Sequence, residues 1–232
     1  MSSLTIDTRV SDIVTALPQS ADLFRNLRID YCCGGKIPLK EAAEQRNLNP
    51  EEVLSSIHSI EEKQENRMSM DPSSFGEKTL VAYIKEKYHD GLRDELPMLA
   101  PYITKVARVH GENYPHLLRV QEIFKTLRAE LLDHTDDEDQ NVFPIILEFL
   151  TNPTPELKEQ LKPLVSELEA EHDNAGRLLY ELREITDNFT PPEEACGTYR
   201  LVYARLEQLE KETFEHVHLE NNVLFERIAK AL

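Results

Sequence analysis

Tryptophan is absent from this chain of 232 residues, and only seven residues are glycine. Little of what remains reads as strand, so neither an all-β nor an α/β fold is expected. Basic residues are in the minority, with 26 Lys and Arg against 43 Asp and Glu and a net charge of −17. A phosphate backbone would be repelled by such a surface, and no basic patch interrupts it, which excludes nucleic acid as a partner. Long apolar runs are missing too, so no membrane-spanning helix is expected. Met1 to Val10 has neither the basic start nor the apolar centre of a leader, and the expected location is the cytoplasm. The three cysteines, Cys32, Cys33 and Cys196, are an odd number with two adjacent. That is no disulfide framework, and thiol chemistry is the expected use.

What is present is charge and leucine. Charged residues make up 30% of the chain, and leucine-rich stretches at helical spacing recur along it, which predicts an all-α protein. The length suits two domains.

The spacing predicts a small helical domain over residues 1–60. Apolar residues from Val10 to Leu17 and from Ala21 to Leu27 give two short helices, with Ser20 placed to cap the second. Asp30-Tyr31-Cys32-Cys33-Gly34-Gly35-Lys36 follows as a tight loop, and Pro38 suits the first turn of another helix. Near that helix start, with Lys36 beside them, the thiols are expected to ionise more readily than usual; the bland alternative is two small turn residues. Asn49-Pro50-Glu51-Glu52 reads as a capped start of a helix running to about Ser59. A polar stretch over 61–76 is expected to be a linker.

Over 77–232 four long helical stretches are expected, roughly 77–109, 115–149, 157–187 and 191–230, which make an up-down-up-down four-helix bundle. Thr190-Pro191-Pro192-Glu193 supplies a Thr cap and an early Pro for the fourth. Pro97 and Pro101 predict a kink or break in the first.

Two copies of one pattern stand out in this half, His134-x-x-x-Glu138 and His216-x-x-x-Glu220. Residues four apart share a helix face, so each copy aims an imidazole and a carboxylate the same way. A single copy is common on solvated helices and means little. Two copies amid apolar residues, with His89 and His172 at matching depths on the other two helices, are hard to obtain by chance. At about 1.5 Å rise per residue the four histidines can share one level, whereas His110 and His116 lie too far along and His218 faces away from His216. Four imidazoles and two carboxylates exceed the needs of one tetrahedral ion. Carboxylates can bridge two cations, and the mixed set suits iron, which predicts a non-haem di-iron centre. Gly176 shares the face of His172, either to leave room for a ligand or to pack against a neighbouring helix. Glu130 and Glu171 are read as solvated carboxylates in preference to groups orienting an imidazole.

The motifs Asp30 to Gly35, Tyr88-His89-Asp90, His134 to Glu138 with Val142-Phe143-Pro144, Glu171-His172-Asp173, Glu194-Ala195-Cys196 and His216 to Phe225 together resemble the Repair of Iron Centres family. These are the di-iron iron-sulfur cluster repair proteins of the ScdA and YtfE type. The resemblance implies a hemerythrin-like bundle after a Cys-Cys-Gly-Gly domain. It implies two non-haem irons, oxo- and carboxylate-bridged, on His89, His134, Glu138, His172, His216 and Glu220. It also implies a role in restoring clusters damaged by nitrosative or oxidative stress, by donating iron to damaged or apo iron-sulfur proteins. Cys32 and Cys33 would then take part in transferring iron or nitrosyl groups. The alternatives are a nitric oxide reductase and a sensor responding to nitric oxide or oxygen. Monomer and homodimer are both compatible with the sequence, and Cys196 is read as a packing residue.

Overall fold

The computed structural model describes residues 4–64 and 71–231. The described residues are all-α apart from loops and one isolated antiparallel bridge between Arg9 and Pro38. No described helix is long and apolar enough to cross a membrane. Residues 65–70 of the expected linker lie outside the described residues. The chain forms two compact units, Met1–Leu80 with Phe214–Leu232, and Val81–Thr213.

In the first unit, α1 (Val10–Ala16), α2 (Ser20–Asn26), α3 (Leu39–Gln45) and α4 (Pro50–Gln64) follow in order. Seven-residue helices are marginal alone in water. These three are held by a shared core of Val10, Ile13, Phe24, Leu39, Ala43 and Ile57. Asn49 caps α4 as expected, its Oδ1 accepting from the Glu51 amide at 3.0 Å, and the helix runs beyond Ser59 to Gln64. Ser20 does not cap α2; its hydroxyl instead donates to the Leu17 carbonyl at 2.7 Å. Neither Gly34 nor Gly35 has a positive φ. Gly35 is needed for closeness, because a Cβ there would run into the carbonyl of Tyr31.

The second unit is a hemerythrin-like up-down-up-down bundle. Its arms are α5 (Glu77–Ile84) with α6 (Asp90–His110), α7 (His116–Asp137) with α8 (Phe143–Thr151), α9 (Pro155–Ile185), and α10 (Gly197–Leu219) as far as Thr213; the chain beyond, with α11 (Phe225–Ala231), belongs to the first unit. The first arm likewise begins within the first unit. Between the paired helices the backbone does not break but widens into π-helical turns at Lys85–His89, Glu138–Val142 and Glu220–Leu224. Pro97 and Pro101 lie inside an uninterrupted α6, so the irregularity of the first arm sits before them rather than at them.

The fourth arm starts later than its apparent capping signal. Thr190 and Pro191 each precede a proline, which disfavours helical angles at both, and Asp187, Asn188 and Phe189 all take positive φ near 49–56°. The connection therefore runs on to Gly197. Cys196 occupies the cap position, its carbonyl accepting from the Arg200 amide at 3.1 Å.

Ion pairs tie the arms together. Arg205 holds Glu95 through two 2.7 Å hydrogen bonds, and Arg119 reaches Glu181 at 2.7 Å. Arg183 grips both oxygens of Glu210, and both residues are buried. Removing one member of a buried pair leaves the other charge without compensation. Arg183→Met is therefore expected to destabilise the protein by about 3–5 kcal/mol, while Arg183→Met with Glu210→Leu recovers most of the loss. Urea unfolding of both variants checks this, and equal losses would contradict it.

Candidate metal centre

The second unit brings four predicted residues together. His89 closes the first π turn, His134 lies in the last turn of α7, Glu138 opens the second π turn, and His172 lies midway along α9. All four are buried, His89 and Glu138 completely. Oε2 of Glu138 lies 3.3 Å from Nε2 of His89 and 3.3 Å from Nε2 of His134. Nε2 of His134 and of His172 approach to 2.9 Å. His134, Glu138 and His172 present ligand atoms all within 4.8 Å of one another. Glu138 thus faces an imidazole on either side.

The outer nitrogens are anchored by carboxylates. Nδ1 of His89 donates to Asp139 at 2.9 Å, and Nδ1 of His134 donates to Glu171 at 2.6 Å. With the proton held on Nδ1, Nε2 is left with its lone pair directed inward, the tautomer that metal-binding imidazoles adopt. Phe143 stacks on the His89 ring at 5.6 Å and 13°, which fixes its plane. The donor set fits a cation of the first transition row, with nitrogen and oxygen ligands and a fully buried carboxylate that needs positive charge nearby.

Asp139 escaped sequence reasoning, because Asp136-Asp137-Glu138-Asp139 reads as one solvated acidic run. It is held in place by Arg93, whose Nη2 donates to it at 2.7 Å, and by Lys85 at 3.5 Å. Burial by itself would raise its carboxyl, but the hydrogen bond from His89, joined by Arg93 and Lys85, outweighs this and holds it at about 2. Glu171 is corrected from a merely solvated carboxylate to the partner of His134. Burial is the first cause raising its carboxyl, followed by repulsion from Glu167 and Asp137. Glu130 has a different task, accepting from the Asn174 amide at 2.7 Å. Glu130, Asp133, Glu167 and Glu171 surround a cleft of about 390 Å³ that reaches His134 and His172.

In the first unit, His216 and Glu220 are buried and paired, Nε2 to Oε1 at 2.8 Å. Glu220 opens the third π turn. His218 belongs to a different environment, with Nδ1 3.3 Å from the Tyr31 carbonyl and Nε2 3.3 Å from Thr15 Oγ1. Burial lowers its pKa to about 4. His110 lies beside Cys196 at 3.3 Å, and His116 contacts Tyr203 at 2.9 Å.

The Cys-Cys loop departs from expectation in its ionisation. Cys32 is buried, and desolvation, reinforced by Cys33 and Asp30, raises its pKa well above the usual thiol value. No helix start compensates, because Asp30 Oδ1 takes the amides of Cys32 and Cys33, each at 3.0 Å. The sulfurs of Cys32 and Cys33 are 3.6 Å apart and unbonded.

Comparison with known proteins finds two domains in the chain. Residues 6–61 match ScdA_N, a Domain of Unknown function (DUF542), and residues 81–228 match the Hemerythrin HHE cation binding domain. The Iron-sulfur cluster repair protein ScdA of Staphylococcus haemolyticus is 38% identical over 226 residues, covering 97% of this chain and 100% of that one. ScdA of Staphylococcus epidermidis is 36% identical with the same coverage. The Iron-sulfur cluster repair protein YtfE of Escherichia coli is 34% identical over 95% of this chain and 96% of its own. With both domains matched and the alignments nearly end to end, the chain belongs to the ScdA and YtfE family that its motifs resemble.

Proposed function

We propose that this protein repairs iron-sulfur clusters damaged by nitrosative or oxidative stress, and that it does so by giving up iron. The observation that carries this reading is Glu138, a buried carboxylate whose one oxygen stands 3.3 Å from imidazole nitrogens on two sides. In this reading His89, His134, Glu138, His172, His216 and Glu220 together hold two irons, with both glutamates bridging. The relatives named as cluster repair proteins support repair over the reductase and sensor alternatives. The clients are damaged or apo iron-sulfur proteins, and the place of action is the cytoplasm. Cys32 and Cys33 take part in the transfer.

Two irons, when bound, supply a store of exchangeable ferrous ions next to residues that control their release. Asp139 and Glu171 keep His89 and His134 in the tautomer that binds metal. Protonation of an imidazole at Nε2 removes its lone pair and frees its ligand place. Glu171 is partly exposed at the acidic cleft, whereas Asp139 is pinned by Arg93 and keeps His89 fixed. His134 is therefore the less firmly anchored of the two imidazoles.

Iron-loaded protein mixed with an apo cluster enzyme is expected to restore activity faster than an equal amount of free ferrous iron; equal rates would overturn the repair reading. Glu138→Ala is expected to keep the fold and lose the magnetic coupling of the irons, read by Mössbauer spectroscopy. Asp139→Ala removes the outer partner of His89, and iron retention against a chelator is expected to weaken by about 10–100-fold.

A further inference from the structure

The loop of the first unit holds its own set of convergent ligand atoms. One carboxylate oxygen of Asp30 and the sulfurs of Cys32 and Cys33 all lie within 4.8 Å of one another. The sulfurs are 3.6 Å apart, and Cys32 Sγ is 3.4 Å from Asp30 Oδ1. Two thiolates bound at about 2.3 Å to a tetrahedral ion stand about 3.8 Å apart, and a thiolate and a carboxylate oxygen on the same ion about 3.6 Å. The observed spacings thus already match the bite of one metal ion. A disulfide would need the sulfurs at about 2.05 Å.

The backbone around this set is fixed from two directions. Asp30 Oδ1 accepts both cysteine amides. On the other side, Asn222 Nδ2 donates to the Cys32 carbonyl at 2.8 Å and lies 3.3 Å from that of Tyr31, while Asn221 Nδ2 reaches the Cys32 carbonyl at 3.4 Å. Gly34 lies under the second carboxylate oxygen, where a Cβ would come within 3.1 Å of Oδ2. Tethering the main chain in this way leaves the side chains to converge. Cys32 is buried while Asp30 and Cys33 are partly exposed, so one side of the set is open for a fourth ligand from solvent or from another protein.

We propose that Asp30, Cys32 and Cys33 form a second metal site in this protein, a three-ligand S₂O station for a borderline-soft divalent cation of the first transition row. Binding replaces two S–H protons by one cation. Both sulfurs enter as thiolates, two protons leave to solvent, and no electron moves. As a receiver of ferrous iron the station deepens the transfer role proposed for the cysteines and rests on that reading. As a metal site it stands on the loop alone.

Cobalt(II) titration of the full-length, iron-loaded Cys196→Ser protein tests the site, because a near-ultraviolet sulfur-to-cobalt charge-transfer band reports thiolate ligation and the nitrogen and oxygen ligands of the bundle give none. The expected result is a band saturating at one cobalt per chain and abolished by Cys32→Ser with Cys33→Ser. Asp30→Asn keeps an oxygen for the two amides but loses the charge. Since even an outer partner of a metal ligand is worth about 10–100-fold in affinity, loss of a direct one is expected to weaken cobalt binding at least about tenfold. Should Asp30→Asn fail to fold by circular dichroism, Cys33→Ser alone must show the same weakening. Absence of the band, a band unaffected by these single variants, or a two-dalton mass loss marking a disulfide in place of cobalt binding would each overturn the site. The cluster-reactivation assay separates the two claims: cobalt binding that obeys these expectations, with reactivation unaffected by Asp30→Asn, leaves the site standing and removes its part in transfer.

Discussion

A carboxylate with no solvent exposure sets the terms for the bundle. Glu138 lies among His89, His134 and His172 in an interior otherwise filled by side chains such as Leu131, Val142 and Phe143. Charge in such a place costs several kcal/mol unless opposite charge accompanies it. The arms supply imidazoles, whose lone pairs suit a bound cation. A cation held among them would supply that opposite charge. The surrounding carboxylates then make sense as the outer layer: Asp139 and Glu171 hold the protons of His89 and His134 on the far nitrogens, and Arg93 balances Asp139.

The π turns are how the helices meet this demand. Each shifts the helix by widening one turn, so that a ligand at its edge points where a regular helix would not send it. His89, Glu138 and Glu220 all sit at such edges. One of the three has a visible cause. Pro144 lacks an amide and crowds the carbonyl four residues before it, inside Glu138–Val142. Nothing in the sequence around the other two marks them, since the residues of a π turn are ordinary helix formers.

The pairing of His134 with Glu138 and of His216 with Glu220 was legible because four-residue spacing survives the passage from sequence to helix, as was the all-α bundle from its leucine periodicity. What was not legible depended on neighbours distant in sequence. Thr190-Pro191-Pro192 has the composition of a helix start, yet the second proline forces the first out of helical angles, and the helix waits until Gly197. Asp139 looks no different from Asp136 or Asp137 until the first arm brings His89 and Arg93 to it. The thiol of Cys32 was expected to ionise easily, but its environment is decided by burial, which a local motif cannot report.

That reversal bears on how metal would move. Burial of the Cys32 thiol, which pushes its pKa up, makes it a weaker nucleophile at ordinary pH. A cation with a carboxylate and two sulfurs arrayed at its own bite distance can displace both protons at once, because the cost of arranging the ligands has been met by Asp30, Asn221 and Asn222. The bundle's donors are nitrogen and oxygen, whereas iron-sulfur clusters are held by thiolates. A site of two sulfurs and one oxygen lies between them in softness. In the proposed repair reading, iron held by the loop would meet a donor set intermediate between imidazole with carboxylate and thiolate alone.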